Sequence, residues 1–286
     1  MTKTIFVSGA TGNTGRLTVQ ALLAKGAKVV AGVHSPEKAD ALKSLGAEVR
    51  PFDLSDIGAM TDAMRGTEGL YLVTPVSQHT ETLTSNMVQA AKVAGVSHVV
   101  KLSGLDVDKG DFAFAQWHFA AEEVIRASGL DWTFLHPNSF IQNFYGALPT
   151  IKVQGVYYNT YATAPVSFVD ARDIGDVAAT ALLSRDHVGQ IYNLTGPDSL
   201  SRDDVVALFS EAAGKSVQSV DVGGSQLIET FLGFGMPQTE AAATAELLGY
   251  TATGRASRIS PDVETLLGRA PRSLAQWTQE NAQAFR

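Results

Sequence analysis

The apolar run Thr4-Ile5-Phe6-Val7-Ser8 empties into Gly9-Ala10-Thr11-Gly12-Asn13-Thr14-Gly15, and three glycines at this spacing constrain the fold more than any other feature of the chain. In a strand–turn–helix unit the first glycine permits the tight turn and the second lets backbone approach a pyrophosphate. The third lets the helix pack closely on the strand. A helix is expected from Arg16 through Lys25 with its N-terminal amides facing the anion, and a second strand over Ala27–Val33 completes the unit. Gly9, Thr11, Gly12, Asn13, Thr14 and Gly15 are therefore expected to hold the phosphates of a dinucleotide.

The same rhythm continues. Helices are expected at Pro36–Leu45, Ile57–Met64, Thr80–Ala94 and His118–Ser128. They alternate with strands at Glu48–Phe52, Gly69–Val73, Val99–Leu102 and Trp132–Leu135. This is βαβ logic, and it predicts an α/β fold of the Rossmann type, a doubly wound parallel sheet buried on both faces. Beyond about Pro149 the pattern changes to extended Val153–Thr160, a strand Val166–Val169, a helix Ala171–Leu183, a strand Ile191–Leu194 and then mostly helix. Residues 1–150 read as a dinucleotide-binding domain and 151–286 as a smaller substrate lobe partly woven back into it. Asp170-Ala171-Arg172-Asp173 reads as a helix cap.

Composition excludes several classes. A net charge of −7, from 22 basic and 29 acidic residues with no basic stripe, disfavours nucleic acid. The absence of cysteine removes disulfides, thiol catalysis and iron–sulfur clusters, and fits a reducing compartment. Histidines 34, 79, 98, 118, 136 and 187 show no metal-ligand spacing, so no metal is expected. Met1-Thr2-Lys3 leads straight into the first strand, and no run approaches the roughly 18 apolar residues of a membrane span. A cytoplasmic protein is expected, with no membrane partner and no signal for an oligomeric state. No Gly-x-Ser-x-Gly elbow supports a hydrolase.

At the end of the second strand no acidic residue awaits the adenosine ribose. His34, Ser35 and Lys38 are placed to receive a 2′-phosphate, which favours NADP, with NAD open if Glu37 reaches the ribose. A clamp through His34 would tighten as pH falls through roughly 6.5. Asp53 is placed either to accept from an adenine amino group, with Leu54 against the ring, or to cap the next helix. Val73-Thr74-Pro75 follows the fourth strand, where open α/β sheets bind ligands, and would pass along the adenosine. None of Tyr71, Tyr145, Tyr157, Tyr158, Tyr161, Tyr192 and Tyr250 has a lysine four residues on, which disfavours ordinary alcohol dehydrogenase chemistry. Ser103, His118 and Glu122 are the catalytic candidates. The i,i+4 spacing puts His118 and Glu122 on one helical face, where Glu122 could orient the imidazole and His118 could bond the nicotinamide ribose or deliver a proton. The competing reading is a turn cap and a surface pair. Pro137 should lie by the nicotinamide, with Asn138, Phe140, Asn143 and Phe144 beside a flat acceptor. Phe231, Phe234 and Met236 would form a flap over it.

With these motifs in place, together with Tyr192-Asn193-Leu194-Thr195-Gly196 and Gly235-Met236-Pro237, the chain resembles the NmrA-like atypical short-chain dehydrogenases/reductases over nearly its whole length. Within that group it is most similar to bacterial NAD(P)H-dependent quinone, azo-dye and triphenylmethane-dye reductases, which share a His-x-x-x-Glu pattern matching His118 and Glu122. The resemblance implies an extended Rossmann domain, a small C-terminal lobe, and hydride delivery from NAD(P)H to a quinone or similar conjugated aromatic without flavin. It departs at His34, where relatives commonly carry arginine. The family also contains dinucleotide-binding regulators without turnover, which is the alternative function.

Overall fold

A computed structural model describes residues 2–35, 39–161 and 164–286. Its first part runs β1 (Thr4–Val7), α1 (Asn13–Ala24), β2 (Lys28–Val33), α2 (Ala39–Ser44), β3 (Glu48–Pro51), α3 (Ile57–Met64), β4 (Gly69–Leu72), α4 (Thr80–Ala94), β5 (His98–Leu102), α5 (Ala113–Ala127) and β6 (Asp131–Pro137). There follow α6 (Leu148–Gln154), β7 (Val156–Asn159), α7 (Ala171–Leu183), β8 (Gln190–Leu194), α8 (Arg202–Ala213), β9 (Gln218–Asp221), α9 (Ser225–Gly233) and α10 (Gln238–Thr251), with short helices to the end. α1 begins three residues before the expected Arg16, with Gly12 at its cap. α5 begins five before His118, because Ala113-Phe114-Ala115 supplies a further helical turn.

The seven-stranded sheet has the order β3-β2-β1-β4-β5-β6-β8. The contacts from β3 through β6 are all parallel. Its order reverses between β1 and β4, and the carboxyl ends of those two strands are where a sheet of this kind binds its ligand. Ser8 fastens that point. Its hydroxyl accepts from Val73 N at 2.8 Å and lies 3.0 Å from the carbonyls of Tyr71 and Val73. β7 and β9 form a separate parallel pair.

The chain divides into two compact units, one comprising Met1–Gly110, Ala115–His136 and Ala171–Asn193, the other Asp111–Phe114, Pro137–Asp170 and Leu194–Arg286. Apart from the short Asp111–Phe114 segment, the chain thus passes into the second unit after His136, against the expected 150, and α7 with most of β8 belongs to the sheet unit. In that unit Phe6, Val30, Phe52, Met60, Leu70, Val99 and Phe134 share one buried cluster. Gly32 is obligatory there, since a Cβ would lie 2.6 Å from Phe6 Cζ. The second unit has its own core around Phe144, Tyr157, Phe168, Phe209 and Trp277. The strand expected at Val166–Val169 is not formed. Only isolated bridges join Val166 to Leu200 and Phe140 to Val169, because Ser167 N turns to the Ala256 carbonyl at 2.9 Å instead.

At the start of β5, His98 shows how the interior constrains ionisation. Thr133 Oγ1 donates to the His187 carbonyl at 2.6 Å, so it accepts from His98 Nε2–H at 3.0 Å. His98 Nδ1 is buried without a hydrogen-bond partner among the described residues. Burial first, then the Lys3 charge, pushes the imidazole down to about 4. Above pH 6.5 the ring is neutral in both folded and unfolded chains. As pH falls from 6.5 towards 4, only the unfolded chain takes up the proton, and stability drops by at most about 3 kcal/mol. Urea titrations at pH 7 and pH 4.5 should show a larger loss for the native sequence than for His98→Gln. Equal losses would refute the assignment.

Candidate active site

The glycine turn sits where the sequence places it. Gly9 adopts a left-handed φ of +58°, and Gly12 N donates to its carbonyl at 2.8 Å. A Cβ on Gly15 would lie 2.1 Å from that same carbonyl oxygen, so the start of α1 packs directly on the turn. Gly9, Thr11, Gly12 and Asn13 are exposed, whereas Thr14 and Gly15 are buried. No side chain caps α1, and its first turn carries no acid. Free amides and the positive end of the helix dipole are left for an anion, a combination that fits a dinucleotide pyrophosphate.

Around this turn, His34 is exposed at the end of β2, and Lys38 lies outside the described residues. Asp53 does not cap α3. Asp56 does so, accepting from Ala59 N at 3.0 Å. Asp53 Oδ1 accepts instead from Ser55 N at 2.9 Å and Ser55 Oγ at 2.8 Å. Those bonds, the backbone one foremost, hold its carboxyl below its ordinary value, with a smaller contribution from His34. Leu54 packs on the sheet-unit core. Val73 is half-buried, Thr74 buried and Pro75 exposed.

The catalytic candidates assemble differently from the expectation. His118 and Glu122 share the buried face of α5, but Glu122 does not orient His118. Glu122 Oε1 accepts from Ser103 Oγ at 2.5 Å and from His136 Nε2 at 2.8 Å. Arg126 reaches Oε2 at 3.3 Å while its guanidinium lies over the rings of Trp132 and Phe134. Burial raises the Glu122 carboxyl. The His136 hydrogen bond and charge, with Ser103 and Lys101, outweigh this and hold it below its ordinary value. The Ser103 proton is committed to this carboxylate, which leaves Ser103 only lone pairs for a ligand. The competing reading of a surface pair fails too, since Glu122 is 1% and His118 8% exposed.

His118 pairs instead with Lys101, whose Nζ lies 2.9 Å from Nδ1. Burial, then the charges of Lys101 and His136, push His118 well below its ordinary value, so the ring is neutral. Sequence reasoning missed Lys101, and it put His136 in the loop after the sixth strand without its partner Glu122. Lys101 and His136 each interrupt an apolar run, Val99-Val100-Lys101-Leu102 and Phe134-Leu135-His136, and that interruption was the available signal.

In the second unit two expected substrate contacts are structural. Phe144 is 3% exposed, with the rings of Phe168 and Phe209 at centroid distances of 4.9 and 5.1 Å. Its faces are spent on the core. Asn138 donates to Ser167 Oγ at 2.8 Å and to the Ala256 carbonyl at 2.7 Å, and accepts from Ser139 N at 2.8 Å, so its amide is satisfied within the chain. Pro137 is buried, Phe140 and Phe231 are half-buried, and Asn143 is exposed. Phe234 is 83% exposed.

A family model described as NmrA-like matches residues 1–277. The chain belongs to the NmrA-like family. Within it, the chain is 31% identical over 282 residues to the NAD(P)H azoreductase of Xenophilus azovorans, covering 98% of this chain and 99% of that protein. NADPH-dependent quinone oxidoreductase QOR2 of Escherichia coli, solved with NADPH, superposes with a TM-score of 0.86 at 25% identity, covering 96% and 99% of the two chains. The triphenylmethane reductase of Citrobacter sp., solved with NADP(H), gives 0.82 at 27% identity, covering 97% and 99%. The seven-stranded Rossmann-like sheet of this NmrA-like chain is thus shared with dinucleotide-dependent reductases.

Proposed function

We propose that this NmrA-like chain is an NAD(P)H-dependent oxidoreductase that reduces a quinone or similarly conjugated aromatic, of the azo-dye or triphenylmethane-dye kind. The observation that carries the reading is the uncapped glycine cradle at the β1/β4 switch point, in a unit whose α5 carries a neutral, buried His118 against Lys101 of β5. Gly9, Thr11, Gly12, Asn13, Thr14 and Gly15 would hold the pyrophosphate, His34 and Lys38 a 2′-phosphate, Asp53, Leu54, Val73, Thr74 and Pro75 the adenosine, and Ser103, His118 and Pro137 the nicotinamide end. Phe140, Asn143, Phe231 and Phe234 are the proposed acceptor contacts.

The chemistry that NADPH would supply when bound is a hydride for the acceptor. The chain's own part is orientation, exclusion of water and delivery of one proton. A lysine ammonium only donates, so His118 Nδ1 must accept from it, and the ring proton is on Nε2. From there it can pass to the anion that a quinone becomes on reduction. Such an anion is already delocalised, and so the site functions without the tyrosine–lysine pair of ordinary alcohol chemistry.

Side-by-side turnover with NADPH and NADH against a small quinone tests the reading, with NADPH expected to be preferred. His118→Gln, which keeps an acceptor for Lys101, should lower kcat roughly 100-fold, the lower end for a general acid. Unchanged turnover would remove His118 from the reaction.

A further inference from the structure

Lys101 has no place in the sequence-based account, yet it is the most costly side chain in the sheet. It is 1% exposed, and a buried ammonium is expensive unless it is paired. Its hydrogen-bond partners among the described residues are neutral: the Leu102 carbonyl at 3.1 Å and His118 Nδ1 at 2.9 Å. Glu122, whose field reaches it, has its oxygens occupied by Ser103, His136 and Arg126. A charge held at such cost and aimed at one nitrogen fixes the proton on the other.

We propose that Lys101 is a positioning residue that holds His118 as its Nε2–H tautomer and restocks the proton that His118 gives to the reduced acceptor. The inference rests on the oxidoreductase reading above. Were Glu122 the partner of Nδ1, that nitrogen would carry the proton and His118 would offer a lone pair. With Lys101 there, Nε2–H is the donor. A Cβ on Gly104 would lie 3.7 Å from His118 Cδ2, the ring carbon next to Nε2, which puts this edge beside the turn beyond the carboxyl end of β5.

The balance also requires the lysine. A neutral imidazole that gave up Nε2–H alone would become an imidazolate. As the Nε2–H bond breaks and the acceptor O–H or N–H bond forms, a Lys101 Nζ–H proton passes to Nδ1. Imidazole is then neutral in its other tautomer, Lys101 is a neutral amine and the acceptor anion is discharged; a solvent proton taken up at Nε2, as the Nδ1 proton returns to the amine, restores the starting state. Burial brings the ammonium down to about 8, with the Glu122 carboxylate opposing, so the amine can give up and regain a proton near neutrality. The titratable groups acting on the pair are Glu122, on the same helix as His118, and His136 on the neighbouring strand.

Long-range proton–nitrogen NMR spectra of the full chain labelled in histidine give a readout independent of turnover. At pH 7, His118 is expected to be neutral with Nδ1 unprotonated. Lys101→Met should shift it towards a mixture of tautomers, lower kcat at least about tenfold with the KM for NADPH within twofold, and abolish the fall in kcat above pH 8. Lys101→Arg keeps a donor that does not deprotonate, and should preserve the tautomer without restoring kcat. An unchanged tautomer or an unchanged kcat in Lys101→Met overturns the proposal. Should the variants fail to fold, the native spectrum decides, because a proton on Nδ1 overturns it unaided. Native protein that fails to oxidise NADPH with any quinone or dye acceptor, yet shows the expected tautomer, refutes the oxidoreductase reading and leaves the tautomer assignment standing.

Discussion

Gly15→Ala should lose NADPH binding by roughly 100-fold or more, about 2.7 kcal/mol, and destabilise the fold by at least about 3 kcal/mol. Its Cβ would lie 2.1 Å from Gly9 O, 2.7 Å from Gly9 C and 3.0 Å from Ala10 Cα. These are backbone atoms, so no side chain can swing aside. Either α1 lifts from β1 or the turn opens, and both displace the amides that face the phosphates. Gly12 is the internal control. A Cβ there would lie 3.1 Å from Gly9 O, a contact relieved by a few tenths of an ångström. Gly12→Ala should therefore keep most of its stability while weakening cofactor binding, since the added methyl points from an exposed turn. Urea denaturation and NADPH fluorescence titration on both variants separate the effects. A Gly15→Ala protein with native stability and affinity would contradict the cradle.

Glu122→Ala is the second large effect, at about 3–5 kcal/mol of stability. The carboxylate is the shared acceptor for Ser103, His136 and Arg126, and it ties β5, α5 and β6 together at one buried point. Removing it strands the Ser103 and His136 donors where water cannot replace the lost acceptor, while part-exposed Arg126 keeps Glu123. Glu122→Gln keeps the volume and one oxygen but turns an amide N–H group towards a donor, so it should cost less than alanine and more than a surface change. The comparison is made by denaturation at pH 7. A loss below about 1 kcal/mol for alanine would mean that the cluster is not the junction its geometry indicates.

The glycine turn was legible because its requirement is written in backbone: Gly15 must lack a Cβ wherever the rest of the chain goes. The βαβ order was legible for a similar reason, as short apolar strands and amphipathic helices are local patterns. Partnerships were less so. Spacing put His118 and Glu122 on one face of α5, but which head meets which group depends on the neighbouring strands, and β5 and β6 bring Lys101 and His136 there. The choice between Asp53 and Asp56 as cap turned on where α3 begins, a matter of one turn. Phe144 reads as a substrate contact from its place in the loop after β6, although its i,i+4 spacing from Phe140 is more often a core pattern; the packing of the second unit puts its ring among Tyr157, Phe168, Phe209 and Trp277.

The most direct test of the central claim is a single-turnover experiment without oxygen, mixing NADPH-loaded protein with one equivalent of a small quinone and following both absorbances. The account predicts loss of NADPH in step with quinone reduction, one for one, at a rate far above the reaction in buffer. Tight NADPH binding with no oxidation by the quinone, or by azo and triphenylmethane dyes tried in its place, would contradict it and mark the chain as a dinucleotide-binding regulator.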